Sequence, residues 1–311
     1  MRIRTPSRVH ITLIDMNGSL SRIDGGVGFA LNEPFIEIEA FESEEVVVNG
    51  KAQNLDRFVE FSKKLSNHFG KGIEIFVKSD YRSHAGLGSG TQIGLAIGKA
   101  FSELYGLKLK VREIAELVGR GGTSGIGVAV FEFGGFVVDG GHSKKEKKDF
   151  LPSSASKAKP AKVISRLDFP DWDVVVLIPS LNGAYGKGEV DLFQKSCPVP
   201  LEEVRELCHL ILMKMLPAVA EEDLDSFVFA LRRIQHLGFK KAEVERYGNL
   251  MRDFLDQFPA GMSSTGPSIF AVADSNVKAL VKDMKSYFTE IGVKCDEIIT
   301  KGRNRGAEVE L

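Results

Sequence analysis

The sequence predicts an α+β chain folded as two domains, and three observations predict it. At 311 residues the chain is about twice the ~150-residue length of a typical domain. Strand-like and helix-like patterns interleave along it. Between residues 140 and 170 the periodicity fades into a stretch rich in Lys, Ser, Ala and Pro, which reads as a long surface connection. The domain boundary is expected near its end, giving domains 1–168 and 169–311. With 43% apolar and 27% charged residues, the chain has the composition of an ordinary folded protein able to bury a core.

The elements follow in order. Residues 2–50 read as short extended segments of one sheet, broken by a turn-rich stretch at 17–28. Asn54 is placed to cap a helix carrying Phe58, Val59, Leu65 and Phe69, and Gly70 to end it. A strand at 72–78 leads to a helix at 90–105, stopped by Gly106, and a short helix at 111–118. A hairpin is expected from 128–133 and 136–138, turning at Gly134 and Gly135. Lys144, Lys145, Lys147 and Lys148 surround Glu146 and read as a solvated run. In the second half a strand at 174–178 precedes helices at 201–216, 221–237 and 242–258. The middle one carries Leu224, Phe227, Val228, Leu231 and Ile234 as a single core-facing stripe. A strand at 268–273, a helix at 276–291 and a strand at 293–299 complete the chain.

Several functions are excluded early. A formal net charge of -1 supplies no field for a nucleic-acid backbone. No run approaches the ~18 apolar residues that span a bilayer, and the first residues do not form a signal peptide. Cys197, Cys208 and Cys295 are few, scattered and odd in number, which fits reduced thiols in a cytoplasm and no zinc spacing.

The chemistry concentrates in glycine-rich loops. Gly86, Leu87, Gly88, Ser89, Gly90, Thr91 and Gln92 run directly into a helix. Glycines let the backbone approach a ligand, and the free N–H groups of a first helical turn bind anions, so this loop is a candidate cradle for a diphosphate. It is neither a Walker A loop nor an intact dinucleotide fingerprint, since Thr91 stands where a third glycine would be. Two more such segments follow, GRGGTSGIG at 119–127 and MSSTGPSIFA at 262–271.

That order of loops resembles the GHMP superfamily of galactokinase, homoserine, mevalonate and phosphomevalonate kinases. The resemblance implies a first domain with a left-handed βαβ unit, a ferredoxin-like second domain and a site in the cleft between them. It also shows departures. Several of these kinases carry an aspartate after Pro-Ser-Gly-x in the second loop, where this chain has Gly127. The first loop commonly ends Ser-Ser-Ala, whereas here it reads Ser89-Gly90-Thr91. An intact anion cradle with damaged kinase machinery argues for another reaction on a diphosphate-bearing substrate, against the alternative of an ATP-dependent small-molecule kinase.

The run RVHITLIDMNGSLSRIDGGVGFALNEP at 8–34, with GGHS at 140–143, PSSAS at 152–156 and FPDW at 169–172, is similar to the beta-ribofuranosylaminobenzene 5'-phosphate synthase family of methanopterin biosynthesis. This resemblance implies condensation of phosphoribosyl diphosphate with 4-aminobenzoate or 4-hydroxybenzoate, releasing CO2 and pyrophosphate, with Mg2+ present, in a homodimer. The apolar helix at 201–216 is a candidate dimer interface. Asp15 and Arg22, in the segment that distinguishes this branch, are the expected catalytic residues. Asp15 would engage magnesium, a ribose hydroxyl or the proton of the para group, and Arg22 would offer a fork for a carboxylate or phosphate. Ser263, Ser264, Thr265 and Gly266 are expected to close on the substrate from the second domain. His10, Asp24, His142, Lys187 and Glu189 are secondary candidates, and no metal ligand can be named from the sequence.

Overall fold

The computed structural model describes residues 1–183 and 186–311. The chain opens with two long antiparallel strands, β1 (Arg2–Asp15) and β2 (Arg22–Ser43), paired from Arg2 opposite Glu39 to Asp15 opposite Asp24. The expected break at 17–28 shrinks to residues 16–21, and 22–28 is strand. Its glycines serve close approach rather than turning. A Cβ on Gly26 would lie 2.3 Å from Ser124 Oγ, and one on Gly28 2.2 Å from the Val9 carbonyl oxygen. A register shift between His10 and Thr12 breaks the alternation of strand faces, which lets both His10 and Leu13 face the same cleft.

Parallel strands β3 (Val46–Gly50) and β4 (Gly72–Ser79) are joined through α1 (Leu55–Phe69). Gly70 ends α1 in the left-handed region at φ 65. Asn54 stands at the cap position without capping. Its side-chain amide instead donates to Asp80 Oδ2 at 2.7 Å and to the Tyr81 carbonyl at 2.8 Å, holding the segment that enters the first glycine loop. Then come α2 (Ser89–Leu104), α3 (Val111–Val118) and α4 (Ile126–Phe133). The expected strand at 128–133 is thus a helix. Its run is apolar on every side, so neither period dominates the pattern, and burial of Ile126, Val128, Ala129, Val130 and Phe131 decides the outcome.

Strands β5 (Phe136–Asp139) and β6 (His142–Ser143) pair with β2, and β7 (Val163–Leu167) pairs with β5. The stretch read as a plain surface connection therefore supplies two strands. Nor is the lysine run uniformly solvated, because Lys147 is only 5% exposed.

The second sheet is antiparallel, with strands in the order Cys295–Lys301, Asp173–Pro179, Ile269–Ala273 and Ala260–Met262. After β8 (Asp173–Pro179) the chain runs through α5 (Lys187–Ser196) and α6 (Leu201–Leu210), which passes by a π turn, Ile211–Met215, into α7 (Leu216–Ala220). There follow α8 (Leu224–Ile234), α9 (Gly238–Glu245), α10 (Asn249–Gln257), β9 (Ala260–Met262), β10 (Ile269–Ala273), α11 (Val277–Glu290) and β11 (Cys295–Lys301). The single helix expected at 242–258 is two, separated at Gly248 with φ 65. Finally β12 (Glu308–Glu310) returns to pair with β1.

One hydrophobic core joins both sheets. Phe169 stacks on Phe29 of the first sheet with centroids 4.2 Å apart, and Trp172 packs on Phe227 at 5.4 Å. These rings fix the walls of the cleft relative to each other. Among the described residues no helix is long and apolar enough to cross a membrane.

Candidate active site

A cleft of about 720 Å³ lies between the two halves, where the first glycine loop, β1, the second glycine loop and the 263–265 loop converge. The first loop enters α2 through Gly88 at φ 86, with no side-chain cap and no acidic residue in the first turn. That leaves a helix N-terminus suited to an anion. Backbone contact demands a glycine at 86, and two arginine side chains close in on Gly90. A Cβ on Gly86 would meet the Ser263 carbonyl oxygen at 2.3 Å, and one on Gly90 would meet Arg57 Nη1 at 2.5 Å and Arg120 Nη2 at 3.3 Å. Cations therefore crowd the anion cradle. Arg8, Arg57, Lys64 and Arg120 all line the cleft, and no ion pair among the described residues neutralises the three arginines.

Burial shapes their charge. Arg8 is pushed down to about 10 by desolvation and so stays cationic at neutral pH; its guanidinium donates to the Gly86 carbonyl. Arg120 is also lowered, by burial and then by Arg57 beside it. Arg57 lies 2.8 Å from His84 Nε2, and burial followed by the two arginines holds His84 below its usual pKa. On the facing wall Glu189 is raised to about 7, by burial first and by Glu243 next. Glu243 is raised by burial despite Lys240 Nζ at 2.6 Å. Lys240 in turn donates to the Ser264 carbonyl at 2.8 Å and so holds the 263–265 loop in place.

The residues expected from the sequence divide into three groups. Gly86, Gly88, Ser89, Gly90, Thr91, Ser264 and Thr265 line the cleft. Leu87, Gln92, Ser263 and Gly266 act beneath it. The Leu87 carbonyl accepts from Tyr81 Oη at 3.2 Å, and Gln92 Nε2 donates to the Gly127 carbonyl at 2.8 Å, tying the first loop to the second. Ser263 Oγ donates to the Gly86 carbonyl at 2.7 Å, and the Gly266 amide closes the loop on the Ser263 carbonyl at 3.0 Å. Asp15 and Arg22 stand outside the cleft lining. Asp15 Oδ1 accepts from the amides of Asn17 at 3.0 Å and Gly18 at 2.8 Å, an Asx-type turn. Arg22 donates from Nε and Nη2 to the Gly140 carbonyl at 3.1 and 2.8 Å, bracing that turn.

Of the secondary candidates, His10 and Glu189 line the cleft. Asp24 and His142 form a buried network, His142 Nδ1 lying 2.6 Å from Asp24 Oδ2, with Lys147 Nζ 3.0 Å from the same oxygen. Lys147 also donates to Thr123 Oγ1 at 3.1 Å and to the Leu151 carbonyl at 2.9 Å, so the network anchors both the second glycine loop and the 152–156 segment that lines the cleft. Sequence reasoning did not single out Arg8, Arg57, Lys64, Arg120, Lys240 or Glu243. In the second glycine loop a Cβ on Gly127 would lie 3.1 Å from Thr91 Cγ2, so a larger residue there would press on the first loop.

With the geometry in hand, the comparisons are specific. Residues 56–135 match the GHMP kinases N terminal domain. A homoserine kinase from Cytophaga hutchinsonii superimposes with a TM-score of 0.68 over 99% of this chain and 96% of its own, at 17% identity, which shows the shared fold. A beta-ribofuranosylphenol 5'-phosphate synthase from Archaeoglobus fulgidus is 64% identical over 100% of both chains. Another of that name, from Methanocaldococcus jannaschii, is 44% identical over 99% of this chain and 100% of its own. The chain therefore belongs to the beta-ribofuranosylphenol 5'-phosphate synthase family, built on the GHMP kinase fold.

Proposed function

We propose that this enzyme joins C1 of phosphoribosyl diphosphate to 4-hydroxybenzoate, releasing CO2 and pyrophosphate and yielding a ribofuranosylphenol 5'-phosphate. The observation that carries the reading is a cleft that keeps a cationic diphosphate cradle while Gly127, packed on Thr91, stands where kinases of this fold carry an aspartate. The relatives are ribofuranosylphenol synthases by name, which favours the hydroxy acid over the amino acid as acceptor. As the C1–oxygen bond to diphosphate breaks, the ring carbon bearing the carboxylate bonds to C1. The para oxygen supplies the electrons, and loss of CO2 restores aromaticity. The enzyme's part is to orient both substrates and stabilise charge on the departing diphosphate, through the α2 N-terminus and Arg8, Arg57 and Arg120.

Mg2+ is part of the proposal. The ion would be carried mainly by substrate oxygens with one or two carboxylates. Glu60, Glu189 and Glu243 are the carboxylates that line the cleft. When bound, the ion neutralises charge developing on pyrophosphate. Asp15 and Arg22 act in this scheme through the turns they hold, at 15–18 and at 140–141.

The test is release of labelled CO2 from carboxyl-labelled 4-hydroxybenzoate with phosphoribosyl diphosphate and magnesium. Donor-dependent release is expected. No release, with ATP turnover on an alcohol instead, restores the kinase reading. The proposal includes a cytoplasmic homodimer, in keeping with free Cys197, Cys208 and Cys295. Its interface is an apolar patch of Leu212, Met213 and Phe229, which are 63%, 62% and 59% exposed in the single chain. Sedimentation equilibrium is expected to give a dimer that Leu212→Glu converts to monomer; a monomeric parent protein refutes the interface.

A further inference from the structure

His10 sits on β1 at the seam between the two halves. Its amide donates to Ser263 Oγ at 3.0 Å, and its carbonyl accepts from the Ser264 amide at 2.8 Å. The backbone is thus clamped from the second domain, and the imidazole is held against the cleft at 6% exposure. Both ring nitrogens are buried, and neither has a hydrogen-bond partner among the described residues. Buried polar groups are nearly always paired, so an imidazole with two idle nitrogens in the wall of a cleft calls for a ligand. Three other titratable groups that could exchange a proton here are engaged: Glu243 with Lys240, Glu189 with Ser154 and His84 with Arg57.

The neighbourhood indicates which part of a substrate reaches His10. Leu13 and Phe193 line the same cleft and pack in one apolar cluster, a wall suited to an aromatic ring. Arg8 and the α2 loop offer the anion sites at its other side. We propose that His10 is a catalytic residue that accepts the proton of the acceptor's para hydroxyl as the new carbon–carbon bond forms and returns it when CO2 leaves. This assignment rests on the proposed transferase reaction.

The step balances. The O–H proton moves to an imidazole nitrogen while the ring carbon bonds to C1 and the C1–oxygen bond to pyrophosphate breaks, giving a ring ketone. The carbon–carboxylate bond then breaks, its electron pair restoring the aromatic ring and leaving a phenolate, which recovers the proton from the imidazolium. No proton is gained or lost overall. Burial, then Arg8 and Lys240, hold the His10 pKa well below its usual value, so the free imidazole is neutral at neutral pH and has a lone pair to accept a proton.

The decisive experiment compares His10→Gln and His10→Leu with the parent protein on two acceptors, 4-hydroxybenzoate and 3,5-difluoro-4-hydroxybenzoate. The flanking fluorines make the second phenol acidic enough to ionise without a base. With 4-hydroxybenzoate both variants are expected to lose about 100-fold or more in kcat, the scale of general-base catalysis, with KM for phosphoribosyl diphosphate within about twofold. With the difluoro acid the loss should shrink to under about tenfold. His10→Leu should unfold at or above the parent temperature, since it removes two unpaired buried polar atoms. Equal losses on both acceptors, or a loss under about fivefold on 4-hydroxybenzoate, overturn the assignment. Absence of CO2 release from the parent protein instead overturns the transferase reading itself, which separates the two failures.

Discussion

Gly86→Ala is expected to lower kcat/KM for phosphoribosyl diphosphate roughly 10²–10³-fold while Gly70→Ala leaves it unchanged, a contrast that rests on backbone strain and contact. Gly86 has φ 89 and Gly70 φ 65, so both substitutions force a side chain into the left-handed region. That strain costs about 1–2 kcal/mol at either site. The surroundings differ. Nothing lies within 4 Å of a Cβ on Gly70, whereas one on Gly86 would meet the Ser263 carbonyl at 2.3 Å. Backbone cannot swing aside as a flexible side chain can, so the first loop and the 263–265 loop must separate, at a further cost of about 1–3 kcal/mol. The hydrogen bond from Ser263 Oγ to the Gly86 carbonyl is strained by the same movement. Steady-state kinetics of the two variants decides the matter. Equal effects would mean that strain alone acts and that the cleft does not depend on contact between these loops.

Lys147→Met should lower the unfolding temperature by about 10 °C, the consequence of losing about 3–5 kcal/mol when one partner of a buried ion pair is removed. The Asp24 carboxylate is fully buried, and Lys147 is 4% exposed at the side chain. Without the ammonium, His142 is left as the charged partner of Asp24. Burial lowers the His142 pKa, but the hydrogen bond and charge of Asp24 outweigh it and the net shift is upward. A raised native pKa means that the His142–Asp24 contribution is full below the ordinary value of about 6.5 and is lost as pH rises through the native one. The penalty of Lys147→Met should therefore grow between pH 6 and pH 8. Thermal unfolding across that range checks both claims, and a loss under about 2 °C at pH 8 contradicts them. Because Lys147 also anchors Thr123 and Leu151, some loss of activity should accompany the loss of stability.

Much of the fold was legible because strand and helix periods differ wherever a segment is amphipathic. The helices around Phe58, Ile97 and Ile114, and the strands around Ile75, Val176 and Phe270, formed where the pattern placed them. The misread strand and turn share one cause. In α4 and in β2 around Gly25–Gly28, what decides the conformation is a neighbour distant in sequence, and local propensity is a weak guide there. Lys147 was hidden for the same reason, since a lysine among lysines looks solvated until Asp24 is found 3.0 Å away.

The sequence by itself determined the family, the order of the anion-binding loops and the missing kinase carboxylate at Gly127, because loop chemistry is written in contiguous residues. Only the tertiary structure decided which charges meet at the cleft. It drew Arg8 from β1, Arg57 and Lys64 from α1, Arg120 from the second loop and Glu243 from α9 to one cavity. It also held Asp15 and Arg22 in turns outside that lining and left His10 facing the cleft with both nitrogens unpaired. Such facts depend on distances between residues far apart in sequence, such as the His10–Ser263 bond with its separation of 253, and no local pattern encodes them.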